Sequence, residues 1–168
     1  MAKSYEELTM TDKMMRIMKP RTRKFTTVAE MIKLLKKRYG TPSPLGDYFS
    51  ASISSILYTK WCEFKLTRSP VGVRGGFGYR IWRNPPSRKK AGEIILDMLY
   101  NLAPEAMYYD TIQSALSLSY FPEGKIEVSA GYALVPLLHE KLITQRPSGS
   151  LNYVLSPAEW LARTEATT

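Results

Sequence analysis

The chain has 168 residues, 44% of them hydrophobic and 23% charged, with a formal net charge of +9 and a single cysteine. That composition excludes a disordered tail and a disulfide-stapled secreted module, and no apolar run is long enough to span a bilayer. The charge is unevenly placed: residues 1–90 carry 20 Lys and Arg against 6 Asp and Glu, whereas residues 91–168 carry 4 against 9.

A one-sided cationic field suits a polyanionic partner, because each Lys or Arg set on a phosphate releases condensed counterions. An acidic half would be repelled by the same polyanion. The expectation is a nucleic-acid-binding front half joined to a back half with another role. With one thiol and no charged-then-apolar leader, the expected location is the cytoplasm, and Cys62 reads as a small buried apolar residue.

Residues 1–25 read as a basic, Met-rich arm. Leu8, Met10, Met14, Met15, Ile17 and Met18 recur at loosely helical spacing, with Thr11 or Asp12 as the cap, and Pro20 ends the run. Lys19, Arg21, Arg23 and Lys24 follow as a basic cluster. Such a helix is expected to dock on the body or on a partner chain. It is short and has no Trp or Phe anchor, so a membrane-surface role is not expected.

Residues 26–84 form the first folded unit. Thr26 or Thr27 caps a helix with Val28, Met31, Ile32 and Leu35 on one face; Lys36, Lys37 and Arg38 gather at its end, where Gly40 stops it. Pro42 and Pro44 mark a loop, followed by one helical turn around residues 44–49. A further helix over residues 50–61 turns Ile53, Ile56 and Leu57 inward and Ser52, Ser54, Ser55, Tyr58 and Thr59 outward. Two strands, around Cys62–Arg68 and Tyr79–Arg83, are joined by a Gly-rich hairpin with Arg74 at its tip.

Residues 85–90 read as a linker, because two prolines and a charge run fit neither core. Residues 91–163 repeat the order. One helix carries Ile94, Ile95, Met98 and Leu99 and closes near Pro104, and a second carries Ile112, Ala115 and Leu116. The third contains Pro136, which costs a hydrogen bond inside a helix and so sets its expected start near Val135. Strand, tight turn and strand follow over residues 142–156. Ser156 and Pro157 then open a short closing helix, and residues 164–168 are expected to fray. The two units are offset by about 75 residues, with Lys65-Leu66-Thr67-Arg68 matching Ile143-Thr144-Gln145-Arg146 and Tyr79 matching Tyr153.

Helix, helix, helix, strand, glycine turn, strand resembles a winged helix-turn-helix domain, and residues 135–156 are similar to that family's usual ending. The resemblance covers nearly the whole chain after residue 26. It implies an α+β, mostly helical chain of two winged-helix units in tandem, whose third helix enters the major groove while the wing touches the adjacent backbone or minor groove.

Carried onto the first unit, the resemblance makes Ser52, Ser54, Ser55, Tyr58, Thr59 and Lys60 the groove-facing residues, and Arg68, Arg74 and Arg80 the wing contacts. Arg21, Arg23 and Lys24, with Lys36, Lys37 and Arg38, would add phosphate contacts. Arg74, among Gly72, Gly75 and Gly76, is the sharpest single expectation, a minor-groove insertion. The bland alternatives are a solvated serine face and a solubilising Arg74. Trp61, Phe64, Phe77, Tyr79 and Trp82 invite base stacking, but at hairpin spacing they fit the core side of the wing better.

The second unit departs from the DNA-binding pattern, since Glu123, Glu127 and Glu140 would face phosphate. It is expected to mediate homodimerisation or to dock a protein partner. His139, the single histidine, follows two leucines and reads as a packed or rim residue, not a base or ligand. No metal-ligand spacing, phosphate-cradling loop or paired carboxylates are present, so no catalysis, cofactor, metal or small-molecule ligand is expected.

The leading expectation is a non-enzymatic, double-stranded DNA-binding regulator of transcription, of bacterial, phage or plasmid type and dimeric. The alternatives are a replication or maintenance factor acting at an origin, and a winged-helix interaction protein that inhibits a host complex. Single-strand or RNA binding is a third, and it requires Tyr79 and Trp82 to face solvent.

Overall fold

The computed structural model describes residues 8–41, 48–71 and 76–167, and it divides into two compact units, Met1–Asn84 and Pro85–Thr168. The chain is α+β and mostly helical, with two small antiparallel sheets.

In the first unit α1 spans Met10–Met18, followed by a short 3-10 turn at Lys19–Arg21. The two-residue strand β1 (Thr26–Thr27) leads directly into α2 (Val28–Tyr39). α3 covers Ser50–Cys62, and a hairpin of β2 (Leu66–Val71) and β3 (Gly76–Ile81) completes the unit. The sheet order is β1-β3-β2, with Thr26 opposite Tyr79 and Arg68 on the far side of the same tyrosine.

The helix starts follow from short polar side chains. Thr9 accepts from the Asp12 amide while Asp12 reaches back to Thr9, and Thr27 and Glu30 form the same reciprocal pair on α2. The cap of α1 is therefore Thr9, not Thr11 or Asp12. The Thr27 backbone N–H, with Lys24 at 3.2 Å, holds the Glu30 carboxyl below its ordinary pKa. Gly40 closes α2 at a φ of +74°, where a side chain would be strained.

Residues 1–25 are not a separate arm where they are described. Met14, Ile17 and Met18 of α1 are buried in one core with Met31, Leu35, Ile53, Leu57 and Trp61. An unbranched methionine fills irregular gaps, so a Met-rich stripe can seal a small core. The strand bounds also differ from expectation: β2 begins later, because Cys62 is the last residue of α3 and only half-buried, whereas β3 begins earlier, at Gly76, and ends before Trp82.

The second unit retraces the path. α4 (Arg88–Leu102), β4 (Met107–Tyr108), α5 (Tyr109–Tyr120), α6 (Gly131–His139), β5 (Ile143–Gln145) and β6 (Asn152–Leu155) follow in order, with sheet order β4-β6-β5. An added helix, α7 (Pro157–Thr167), ends the unit. Ile143 lies opposite Leu155 as Leu66 lies opposite Ile81, so Leu66, not Lys65, corresponds to Ile143.

Three boundaries differ from expectation. Arg88–Lys90 are not linker: Ser87 accepts from the Lys90 amide, so α4 starts inside the basic run. α6 begins at Gly131, not near Val135, even though Pro136 lies within it. The missing proline N–H frees the Tyr132 carbonyl, and the Arg88 guanidinium, stacked 4.3 Å from the Tyr132 ring centroid, donates to that oxygen. Residues 164–167 are helical, and Thr164 bonds back to the Trp160 carbonyl. Arg163 holds α7 to α4 through Glu93 and Asp97 while also bonding Glu159 on its own helix.

Both third helices end in the same way, on a non-glycine residue in the left-handed region. Phe64 has φ 59° and Lys141 has φ 58°. In each case the following amide reaches back five residues, Lys65 to the Lys60 carbonyl and Leu142 to the Leu137 carbonyl. Phe64 offsets its strain by burial, and its ring lies 5.6 Å from that of Trp82. Lys141 is exposed and has no such return.

Lys141→Gly should therefore stabilise the protein by about 0.5–1 kcal/mol, the αL penalty less the entropy of glycine. Phe64→Gly should cost roughly 3–5 kcal/mol, because it opens a cavity in the core. Urea midpoints of the two variants should move in opposite directions.

Candidate nucleic-acid interface

The orientation of α3 is set by one apolar stripe. Ile53, Leu57 and Trp61, four residues apart, are each 2% exposed or less. At 100° per residue the opposite half carries Ala51, Ser52, Ser55, Tyr58 and Thr59, all exposed, whereas Ser54, also exposed, lies at the edge of the apolar stripe. Four of the expected groove-facing residues, Ser52, Ser55, Tyr58 and Thr59, are thus brought together on one helix surface. Ser54 and Lys60 flank the apolar stripe on its two sides, and Lys60 is half-buried and paired with Glu63 at 2.7 Å.

At the start of α3, Phe49 holds the N-cap position and is 75% exposed. Its side chain caps nothing, as is also true of Tyr108 and Ala130 at the starts of α5 and α6, whereas Thr9, Thr27 and Ser87 cap α1, α2 and α4. Tyr58, 51% exposed, packs its ring 5.4 Å from that of Trp61. Phe49 was not legible as a surface residue, since an aromatic beside a helical pattern reads as core.

The buried hydroxyl group of Tyr48 donates to the Gly40 carbonyl at 2.9 Å, which ties the end of α2 to the start of α3. Lys36, Lys37 and Arg38 on the last turn of α2 are exposed, with the Arg38 guanidinium 5.8 Å from the Tyr39 ring centroid. Arg23 is exposed as well. Other cations of the unit are half-buried or make contacts within it. Lys24 pairs with Glu30, Arg21 is half-buried with its Nε lacking a hydrogen-bond partner, and Arg80 lies 4.6 Å from the Phe25 ring centroid.

Arg68 is sandwiched, with its guanidinium 3.7 Å from the Trp61 ring centroid and 4.1 Å from that of Phe77. Arg68 and Arg80 are therefore not freely projecting side chains of the wing: their flat guanidinium groups settle on aromatic rings of α3, of β3 and of the residue before β1. The Arg74 expectation lies outside the described residues, as does the helical turn read over residues 44–49 up to Asp47.

The stacking aromatics are largely interior. Trp61, Phe64 and Tyr79 are buried, Phe77 and Trp82 are half-buried, and Trp61 belongs to α3, not to the hairpin. That removes the solvent-facing Tyr79 which single-strand stacking requires.

The second unit presents different chemistry at the corresponding helix. α6 buries Ala133, Leu134 and Leu137 and exposes Val135, and it has no Lys or Arg. His139 is exposed at its end. The marked feature of this unit is a groove of about 490 Å³ whose lining includes Pro104, Arg146, Val154, Pro157, Trp160 and Leu161. Trp160 and Leu161, at 41% and 53% exposed, leave much apolar surface unburied there. Sequence reading missed it because α7 was expected to be short.

Among the described residues no three His, Cys, Asp or Glu side chains group as a metal site, and no helix is long and apolar enough to cross a membrane. No family model, curated protein or solved structure matches the chain.

Arg68→Lys should cost about 1–2 kcal/mol, since a point ammonium cannot stack between two rings. Thermal unfolding followed by tryptophan fluorescence would read both the lost stability and the altered Trp61 environment. Unchanged unfolding would mean that the sandwich contributes nothing.

Proposed function

We propose that the chain is a non-enzymatic, double-stranded DNA-binding regulator built from two winged-helix units, the first gripping the duplex and the second pairing chains. The observation that carries this reading is the outward face of α3. It is an uncharged surface of hydroxyls and small apolar groups, on a helix whose approach is tied to the end of α2 by the Tyr48 hydroxyl on the Gly40 carbonyl. A helix of that shape fits the major groove, where hydroxyls bond to base edges or phosphates while flanking lysines and arginines supply the salt-dependent affinity.

The element order supports the winged-helix assignment for both units. Each runs helix, strand, helix, helix, strand, strand, with the short first strand paired to the last. Transcriptional control is the simplest role for such a module. Partner choice follows the charge division: the acidic second unit, with Trp160 and Leu161 open on α7, suits association with a second copy of the chain, and a symmetric pair would favour a palindromic site.

Fluorescence anisotropy with mixed-sequence duplex at two salt concentrations tests the first part. Wild type should bind with a steep salt dependence, and Ser55→Glu, placing a carboxylate at the centre of the α3 face, should lose about 1–3 kcal/mol without unfolding. Absence of duplex binding at low salt would remove this reading. For the second part, Leu161→Glu should shift the protein from dimer to monomer in sedimentation velocity, with little change in melting temperature. A wild-type chain that stays monomeric would refute pairing through this unit.

A further inference from the structure

Between Ser50 and Thr59, α3 contains no Arg, Lys, Asn, Gln, Asp or Glu. The side chains that discriminate bases by bidentate hydrogen bonds are therefore missing from its exposed face. Guanine O6 and N7 have no guanidinium or ammonium opposite them, adenine has no amide, and the cytosine amino group has no carboxylate. The hydroxyls of Ser52, Ser54, Ser55 and Thr59 bond to either base pair and select weakly.

What remains to discriminate is apolar. Ala51 and the ring of Tyr58 lie on the exposed face, and Phe49 stands at its N-terminal end. The C5 methyl of thymine is the one apolar group that a base pair presents in the major groove, and alanine and phenylalanine are among the side chains that contact it. Phe49 also occupies a position where Ser, Thr, Asp or Asn would supply a capping hydrogen bond. The helix forgoes that bond and holds a ring in solvent instead.

We propose that α3 is a thymine-methyl reader, selecting A·T-rich duplex by packing Phe49, Ala51 and Tyr58 against the C5 methyl groups of thymine. The proposal rests on the double-stranded DNA reading above and gives it a substrate class. It assigns the flanking Lys36, Lys37 and Arg38 to affinity, and the uncharged face to choice of sequence.

The test uses the full chain and four short duplexes: a mixed A·T sequence, the same sequence with deoxyuridine for every thymine, a G·C sequence, and that sequence with 5-methylcytosine for cytosine. Deoxyuridine removes the methyl and leaves the hydrogen-bonding edges and the minor-groove pattern in place. Affinity should fall by about fourfold for each methyl that is buried, and 5-methylcytosine should recover part of the loss on G·C. Phe49→Ala and Tyr58→Ala should narrow the thymine-to-uracil ratio while leaving the salt slope unchanged, because neither residue meets a phosphate charge.

Both positions are exposed, so circular dichroism should report an intact fold in each variant. Equal affinity for the thymine and uracil duplexes would overturn the proposal, whether binding is then indifferent to sequence or prefers A·T through groove shape. Failure to bind any of the four would remove the DNA-binding reading itself, a result distinct from the first.

Discussion

Burial of Ile53, Leu57 and Trp61 fixes the rotation of α3 about its axis, and the rest of the first unit is arranged around that choice. Each of these side chains contributes roughly 1.5–3 kcal/mol on leaving water, so a turn of one residue that exchanged them for Ser54, Tyr58 and Cys62 would be far costlier than any contact on the outer face could offset. The same stripe pins the end of the helix. Arg68 lies over Trp61, Phe64 drops into the core in a left-handed turn, and the chain enters β2 two residues later. The outward hydroxyl surface is thus a consequence of packing on the opposite side.

Net charge and local charge have separate roles in this unit. Lys24, Lys60, Arg68 and Arg80 are engaged by carboxylates or rings within the unit, yet they still add to its positive field. A field of that kind acts at a distance, whereas direct contact with an anion is open only to cations that project from the surface, as Lys37 and Arg23 do. A count of basic residues overstates the second and describes the first well.

The second unit uses the same chain path for different chemistry. Its third helix carries a proline, and the carbonyl freed by that proline is taken by Arg88, a residue that belonged by sequence to a basic linker. One cation of the charge run is spent on backbone repair. α7 has no counterpart in the described part of the first unit, and its Arg163 bridges Glu93, Asp97 and Glu159, so one guanidinium holds three carboxylates together and the cluster stays acidic. Shared topology with divergent surfaces is the ordinary way in which one fold carries two roles.

Much of this was legible in the sequence because it depends on neighbours along the chain. The periodicity of Met31 and Leu35, the Thr27 cap, Gly40 as a stop, the Ser156 and Pro157 start and the serine face of α3 all follow from local rules of spacing and backbone geometry. The two-unit order was legible for the same reason. Tertiary structure decided whatever depended on partners remote in sequence: that α1 seals the first core, that Arg68 and Arg80 stack on rings instead of projecting, that Arg88 rescues a carbonyl in α6, and that Phe49 faces solvent. A side chain's spacing says which way it leaves the helix. Only the packed neighbours say what it meets there, and for long cations and aromatic rings that meeting decides between structure and recognition.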